Sequence, residues 1–196
     1  MDLFKFPRTK HLFDAGGSGV SRDDLLMDPG EEGTFYSLQK SKGKGSKSRA
    51  SPAGSGSRLV AMEEKVDGAN LGISVDPETM QFRVQNRSHF VNSKTHRQFG
   101  TLDSWLSEHS EGLFEVLGSE PGCYVLFGEW LYATHSIAYT RLPDYFLAFD
   151  LYDREASKFL SWRERNRRLE GTGIHTVRLI AEETLSGRED VSSMVV

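Results

Sequence analysis

Lys65 is the residue around which chemistry can be organised. It stands in Glu63-Glu64-Lys65-Val66-Asp67-Gly68-Ala69-Asn70, at the end of an apolar run and just before an Asp-Gly pair that signals a turn. Two readings are open for it. One is a solvated lysine paired with Glu63 or Glu64; the other is a lysine fixed in position as a nucleophile. An ordinary lysine amine titrates near about 10.4 and is cationic at neutral pH. To attack phosphorus it must shed that proton, and a depression of about three pH units corresponds to on the order of 4 kcal/mol. Desolvation and neighbouring cations favour the neutral amine, whereas carboxylates oppose it. A lysine so activated can attack the α-phosphate of ATP, form a phosphoramide-linked AMP and expel pyrophosphate.

Other chemistries find no support. The histidines at 11, 89, 96, 109, 135 and 175 never fall at H-x-x-x-H spacing, so no zincin-type site is expected. The single cysteine, Cys123, excludes a disulfide scaffold and a cysteine-rich zinc site. Gly16-Gly17-Ser18-Gly19 lacks the Walker pattern and follows no strand, so it reads as a turn or a disordered stretch. Ala61 with Lys65 resembles a kinase lysine only superficially, because the spacing is wrong and neither H-R-D nor D-F-G is present.

The elements that must position Lys65 are mostly short strands. Leu59–Lys65 and Leu71–Val75 flank the Asp-Gly pair, at a spacing unlike that of a minimal hairpin. Phe82–Arg87 alternates apolar and polar residues and reads as a half-exposed strand with two guanidiniums on its polar face. Residues 101–117 carry one apolar helical face, with Gly112 inside and Gly118 as the stop. Cys123–Tyr132 and Tyr145–Tyr152 are aromatic-rich strands; in the first, Val125, Phe127 and Glu129 share a face. Ser161 and Glu164 form a capping box opening a helix that ends at Gly171, and Val177–Ala181 reads as a last strand. This order predicts an α+β fold of antiparallel sheets with flanking helices.

Four segments match one family in order. Lys65-Val66-Asp67-Gly68-Ala69-Asn70 resembles motif I of the covalent nucleotidyltransferases, which include ATP-dependent RNA and DNA ligases and mRNA capping enzymes. Arg87-Ser88-His89-Phe90-Val91-Asn92 resembles the arginine segment that follows in RNA ligases. Phe127-Gly128-Glu129-Trp130-Leu131-Tyr132 resembles motif III, and Phe146–Asp153 resembles motif IIIa. The opening Phe6–Leu12 is similar to the start of a compact RNA-ligase-domain family. The resemblance implies a ligase core, ATP-grasp-like in type, with Lys65 as the adenylated nucleophile. It implies nucleotide contacts from Glu63, Glu64, Asp67, Gly68, Arg87, Glu129 and Phe149, with Phe149 stacking on adenine. Glu129, through ribose or metal, and Asp150 would serve the site of Mg2+ or Mn2+, and Asn70 would reach the nucleic-acid end. The implied function is an ATP-dependent RNA ligase that moves AMP from Lys65 to a 5′-phosphate before a 3′-hydroxyl displaces it. The implied partners are RNA ends; nothing in the residues separates them from DNA ends.

The family pattern then stops. Glu170-Gly171 is a poor motif IV, and motif V, a Lys-x-Lys, is not found after Lys158, so the chain is expected to be one truncated nucleotidyltransferase domain over 1–196. The alternative is a non-catalytic nucleotide- or RNA-binding remnant. The net charge of -4 argues against holding nucleic acid by bulk charge. Residues 41–58 hold six Ser, four Gly, three Lys, two Arg and no acid, and are expected to be a disordered insertion, either a solvated loop or a basic tether. No apolar run reaches the roughly 18 residues of a membrane span, and no targeting signal opens the chain. An intracellular place, cytoplasm or nucleus, without membrane association, is the expectation.

Overall fold

The structure, a computed structural model, describes residues 2–16, 20, 24–37 and 59–194. The expected insertion at 41–58 and most of the glycine run at 16–19 lie outside them. The chain divides into two compact units, Met1–Phe6 with Glu64–Arg178, and Pro7–Glu63 with Leu179–Val196.

The first unit is built on a six-stranded antiparallel sheet. Its strands are β2 (Ala69–Val75), β3 (Phe82–Gln85), β4 (Phe90–Val91), β5 (Tyr124–Trp130), β6 (Phe146–Asp153) and β7 (Lys158–Phe159), in spatial order β4-β3-β2-β5-β6-β7. β2 and β5 are central, and side-chain alternation sorts their residues onto two covered faces. Leu71, Ile73, Val75, Leu126 and Trp130 pack on one side against Leu102, Trp105, Leu113, Val116 and Leu117. Those five come from α2 (Leu102–Glu108) and α3 (Ser110–Leu117), and Leu169 of α4 (Trp162–Leu169) joins them. On the other side Val125 and Phe127 pack with Phe6, Phe4, Phe149, Phe159 and Tyr152. Beside that aromatic layer, Val66, Leu131, Leu147 and Val177 form a smaller apolar cluster with Tyr139 and Leu142.

The second unit pairs β1 (Val60–Glu63) with β8 (Leu179–Glu183), antiparallel, and carries α1 (Pro29–Ser37) and α5 (Arg188–Met194). Arg188 reaches both carboxylate oxygens of Glu32 at 2.5 Å, tying α5 to α1.

Several elements differ from the expectation for physical reasons. The helix over 101–117 is two helices, broken at His109, and Gly112 is required there: a Cβ would lie 1.9 Å from the Thr172 carbonyl oxygen. The strand expected to reach Arg87 ends at Gln85, because Asn86 closes a turn. Its Oδ1 accepts from the Ser88 and His89 amides, each at 2.9 Å, so Arg87 sits at a hairpin tip. The runs flanking Asp67-Gly68 form no hairpin; β1 pairs with β8, whereas β2 pairs with β3 and β5. Ser161 caps α4 as its sequence predicts, accepting from the Glu164 amide at 3.3 Å.

Candidate active site

Lys65 lies in the extended connection before β2, exposed, with Val66 buried beneath it. The backbone makes few bonds here: the Glu64 amide donates to the Arg178 carbonyl at 2.8 Å, and the Asp67 amide donates to the Tyr139 hydroxyl at 2.8 Å. Gly68 follows, and its role is space, not an unusual backbone angle. A Cβ at 68 would lie 2.6 Å from the Trp130 carbonyl oxygen, so only glycine lets the strand begin against β5.

From that connection the chain forms the floor and rim of a cavity of about 400 Å³. Lys65, Asp67, Gly68 and Asn70 line it, together with Arg87 from the β3–β4 hairpin tip and Glu129 from β5. Six of the ten residues picked out in the sequence thus meet in one place. Asn86, Gln98 and Phe99 also line it; nothing in their sequence context marks them, since they arrive through the Asn86 turn and a short 3-10 turn at Arg97–Phe99.

Two buried oxygens define what the cavity lacks. Asn70 and Glu129 are direct cross-strand partners in the β2–β5 ladder, and alternation puts Glu129 on the face of Val125 and Phe127. Asn70 Oδ1 and Glu129 Oε2 are both shielded from solvent and without a hydrogen-bond partner. Leaving such groups unpaired costs about 1–3 kcal/mol each, so they are poised to accept from a ligand. Desolvation pushes the Glu129 carboxyl up to about 7; Lys65 and Arg87 pull it down and Asp67 adds to the rise. Asp67 behaves oppositely. Its Oδ2 accepts from the Ser136 hydroxyl at 2.6 Å and the Ser136 amide at 2.8 Å, which hold its carboxyl below the usual range.

The remaining four stand elsewhere. Glu63 ends β1 in the second unit, and Glu64 is exposed without lining the cavity. Phe149 is the extra residue of a β-bulge in β6: Phe127 faces Asp150, and Gly128 faces Ala148. Its ring is half-buried and edge-on to Phe6, 5.3 Å between centroids, and its carbonyl accepts from the buried Arg165 guanidinium. Asp150 follows it on β6, half-buried. Among the described residues no three His, Cys, Asp or Glu side chains gather as a metal cage. One cavity carboxylate with an orphaned oxygen fits a cation that keeps waters and phosphate oxygens as most of its ligands.

The comparisons agree with this architecture. The RNA ligase family profile matches residues 58–193, and the chain belongs to that family. No curated protein matches it. Among solved structures, a Lys-to-Ala mutant of Naegleria gruberi RNA ligase with ATP and Mn superposes with a TM-score of 0.54 at 16% identity. That match covers 69% of this chain and 41% of the other. A Glu-to-Ala mutant of the same ligase with ATP and Mn gives 0.53 at 17% identity, covering 70% and 41%. A further Lys-to-Ala mutant with ATP and Mn gives 0.54 at 13% identity, covering 98% of this chain and 52% of that one. The chain therefore spans about half or less of the length of these ligases, and what it shares with them is the nucleotidyltransferase fold: a mixed helix and antiparallel-sheet domain.

Proposed function

We propose that this domain performs the nucleotide-activation chemistry of an ATP-dependent RNA ligase, with Lys65 as the nucleophile. The observation that carries the reading is the cavity itself: in a chain of this family it joins Lys65 to Arg87 and to two orphaned acceptors, Asn70 Oδ1 and Glu129 Oε2. A ribose hydroxyl or a water on a cation satisfies those acceptors, while the planar fork of Arg87 suits a phosphate. The Naegleria ligase structures were obtained with ATP and Mn, ligands of the kind this cavity would take.

In this reading Lys65 loses a proton to solvent, and its Nζ attacks the α-phosphorus of ATP. The N–P bond forms as the bond to the bridging oxygen breaks, and pyrophosphate leaves with the electron pair. A divalent ion bound with the phosphates would neutralise charge developing on their oxygens. Glu129, with Asp150 behind it on β6, would hold that ion through water. Phe149 would stack on adenine through a face of its ring, and Asn70 would accept from the incoming RNA end. AMP would then pass to a 5′-phosphate and be displaced by a 3′-hydroxyl.

The test is covalent labelling. Incubation with ATP radiolabelled at the α-phosphate and Mg2+ or Mn2+ should place one AMP on the protein, and Lys65→Arg should abolish it, since it keeps the charge but not a titratable amine. Label that persists in Lys65→Arg would overturn the assignment. ATP binding with no label in the parent chain would favour a nucleotide-binding module instead.

A further inference from the structure

Residues 131–145 join β5 to β6 without regular structure, longer than most connections in a compact domain. The base of this loop is closed by the Leu131 amide, which donates to the Tyr145 carbonyl at 2.7 Å. Its far end is fastened to α2 and the helix junction. Trp105 Nε1 donates to both oxygens of Asp144 at 2.8 and 2.9 Å, and His109 Nε2 lies 3.1 Å from the same carboxylate. His109 Nδ1 is 3.0 Å from the Trp105 carbonyl, so both ring nitrogens face acceptors.

The middle of the loop reaches the nucleophile's own segment. Ser136 gives both its amide and its hydroxyl to Asp67, and the Tyr139 hydroxyl receives the Asp67 amide. Tyr139 and Leu142 also pack against the apolar cluster that contains Val66. Lys65 is therefore followed by two residues fixed by one loop, Val66 through that apolar cluster and Asp67 through three hydrogen bonds. Its own backbone takes no part in the sheet ladder, because β2 begins only at Ala69.

We propose that Ser136 and Tyr139 are positioning residues for lysine adenylation, forming a clamp that sets the reach of Lys65 into the cavity. The inference rests on the proposed role of Lys65. Attack on phosphorus demands a near-attack distance, and a displacement of about 1 Å can cost on the order of 100-fold in rate. A clamp acting on Lys65 has a specific signature. Forming the lysine adduct needs Lys65 in place, whereas sealing RNA that already carries a 5′-adenylate does not use its amine.

The experiment compares the parent chain with Ser136→Ala, Tyr139→Phe, their double variant and Ser136→Thr. The expected result is a 10- to 100-fold fall in the rate of adduct formation for the double variant, with the KM for ATP changed less than threefold. Ser136→Thr, which keeps the hydroxyl, should recover most of the rate, and sealing of pre-adenylated RNA should stay within threefold of the parent. Unchanged adduct formation in the double variant overturns the clamp, as does an equal loss of both reactions. Amide exchange at Asp67 separates this failure from failure of the nucleophile. If the parent forms no adduct, yet Asp67 exchange is slow and is accelerated by Tyr139→Phe, the clamp stands and the role of Lys65 falls. Asp67 exchange that is fast in the parent overturns the clamp itself.

Discussion

Glu129 carries the most informative titration in the molecule. Its carboxyl is raised by desolvation to about 7 from an ordinary 4.5, so between those values the folded chain keeps a proton that the unfolded chain has released. The unfolded state then binds fewer protons, and stability falls as pH rises through that window. Glu129→Gln should therefore stabilise the ligand-free protein at pH 8, by up to on the order of 3 kcal/mol, and change it little at pH 4. Denaturant midpoints of parent and variant at the two pH values decide this; equal shifts at both would show that the carboxylate is not desolvated. Under the proposed function the same variant should lose adduct formation, since glutamine keeps an acceptor oxygen but not the negative charge that would hold a divalent ion. Part of this was legible in the sequence. Alternation puts Glu129 on the face of Phe127, and the Lys65 motif names its partner, but the vacant acceptor on Asn70 became visible only when β2–β5 register set it opposite Glu129. Ser136 and Tyr139 carried no signal, because a clamp made by a serine and a tyrosine some 70 residues away has no local pattern.

At the scale of elements, the strands carrying motif-like residues follow their hydrophobic alternation and agree with the sequence to within two residues. What sequence could not give is close approach between strands. Gly128 lies between Phe127 and Glu129, and a Cβ there would stand 2.4 Å from the Phe146 ring and 2.6 Å from the Leu147 carbonyl oxygen. The ring could turn, but the carbonyl belongs to the β5–β6 ladder and cannot yield without moving the bulge that carries Phe149. Gly128→Ala should destabilise the protein by about 1–3 kcal/mol, the ordinary range for overpacking, and under the proposed function weaken ATP binding with it. A thermal melt and an ATP titration on the same sample test both; an unperturbed melting temperature would show that the ladder is more compliant than this geometry allows. Gly112 makes the parallel case in α3, where periodicity alone reads it as a blemish and the Thr172 carbonyl explains it. The short β4 and β7, and α1, were missed because two-residue strands and a helix without an apolar stripe leave no periodic trace.

For the whole molecule, charge bears on how RNA ends would be held if the proposed function is right. The chain is acidic overall, at -4, and among the described residues none of the helices is long and apolar enough to cross a membrane. The cations placed at the cavity are Lys65 and Arg87. If RNA ends bind there, affinity comes from few phosphate contacts, and counterion release from a single strand scales as about -0.7 per neutralised phosphate. The slope of log K against log salt should then be shallow, about -1 to -2. Residues 41–58 supply five further cations with no acid between them, but no aromatic or large apolar side chain that folding would bury. Deleting them should shift stability by less than about 0.5 kcal/mol, leave the lysine adduct unaffected, and leave the salt slope as it was. A slope that falls by 2 or more on deletion would instead make this segment a tether on the phosphate backbone. Loss of folding on deletion would mean that it packs against the domain, a role its composition does not support.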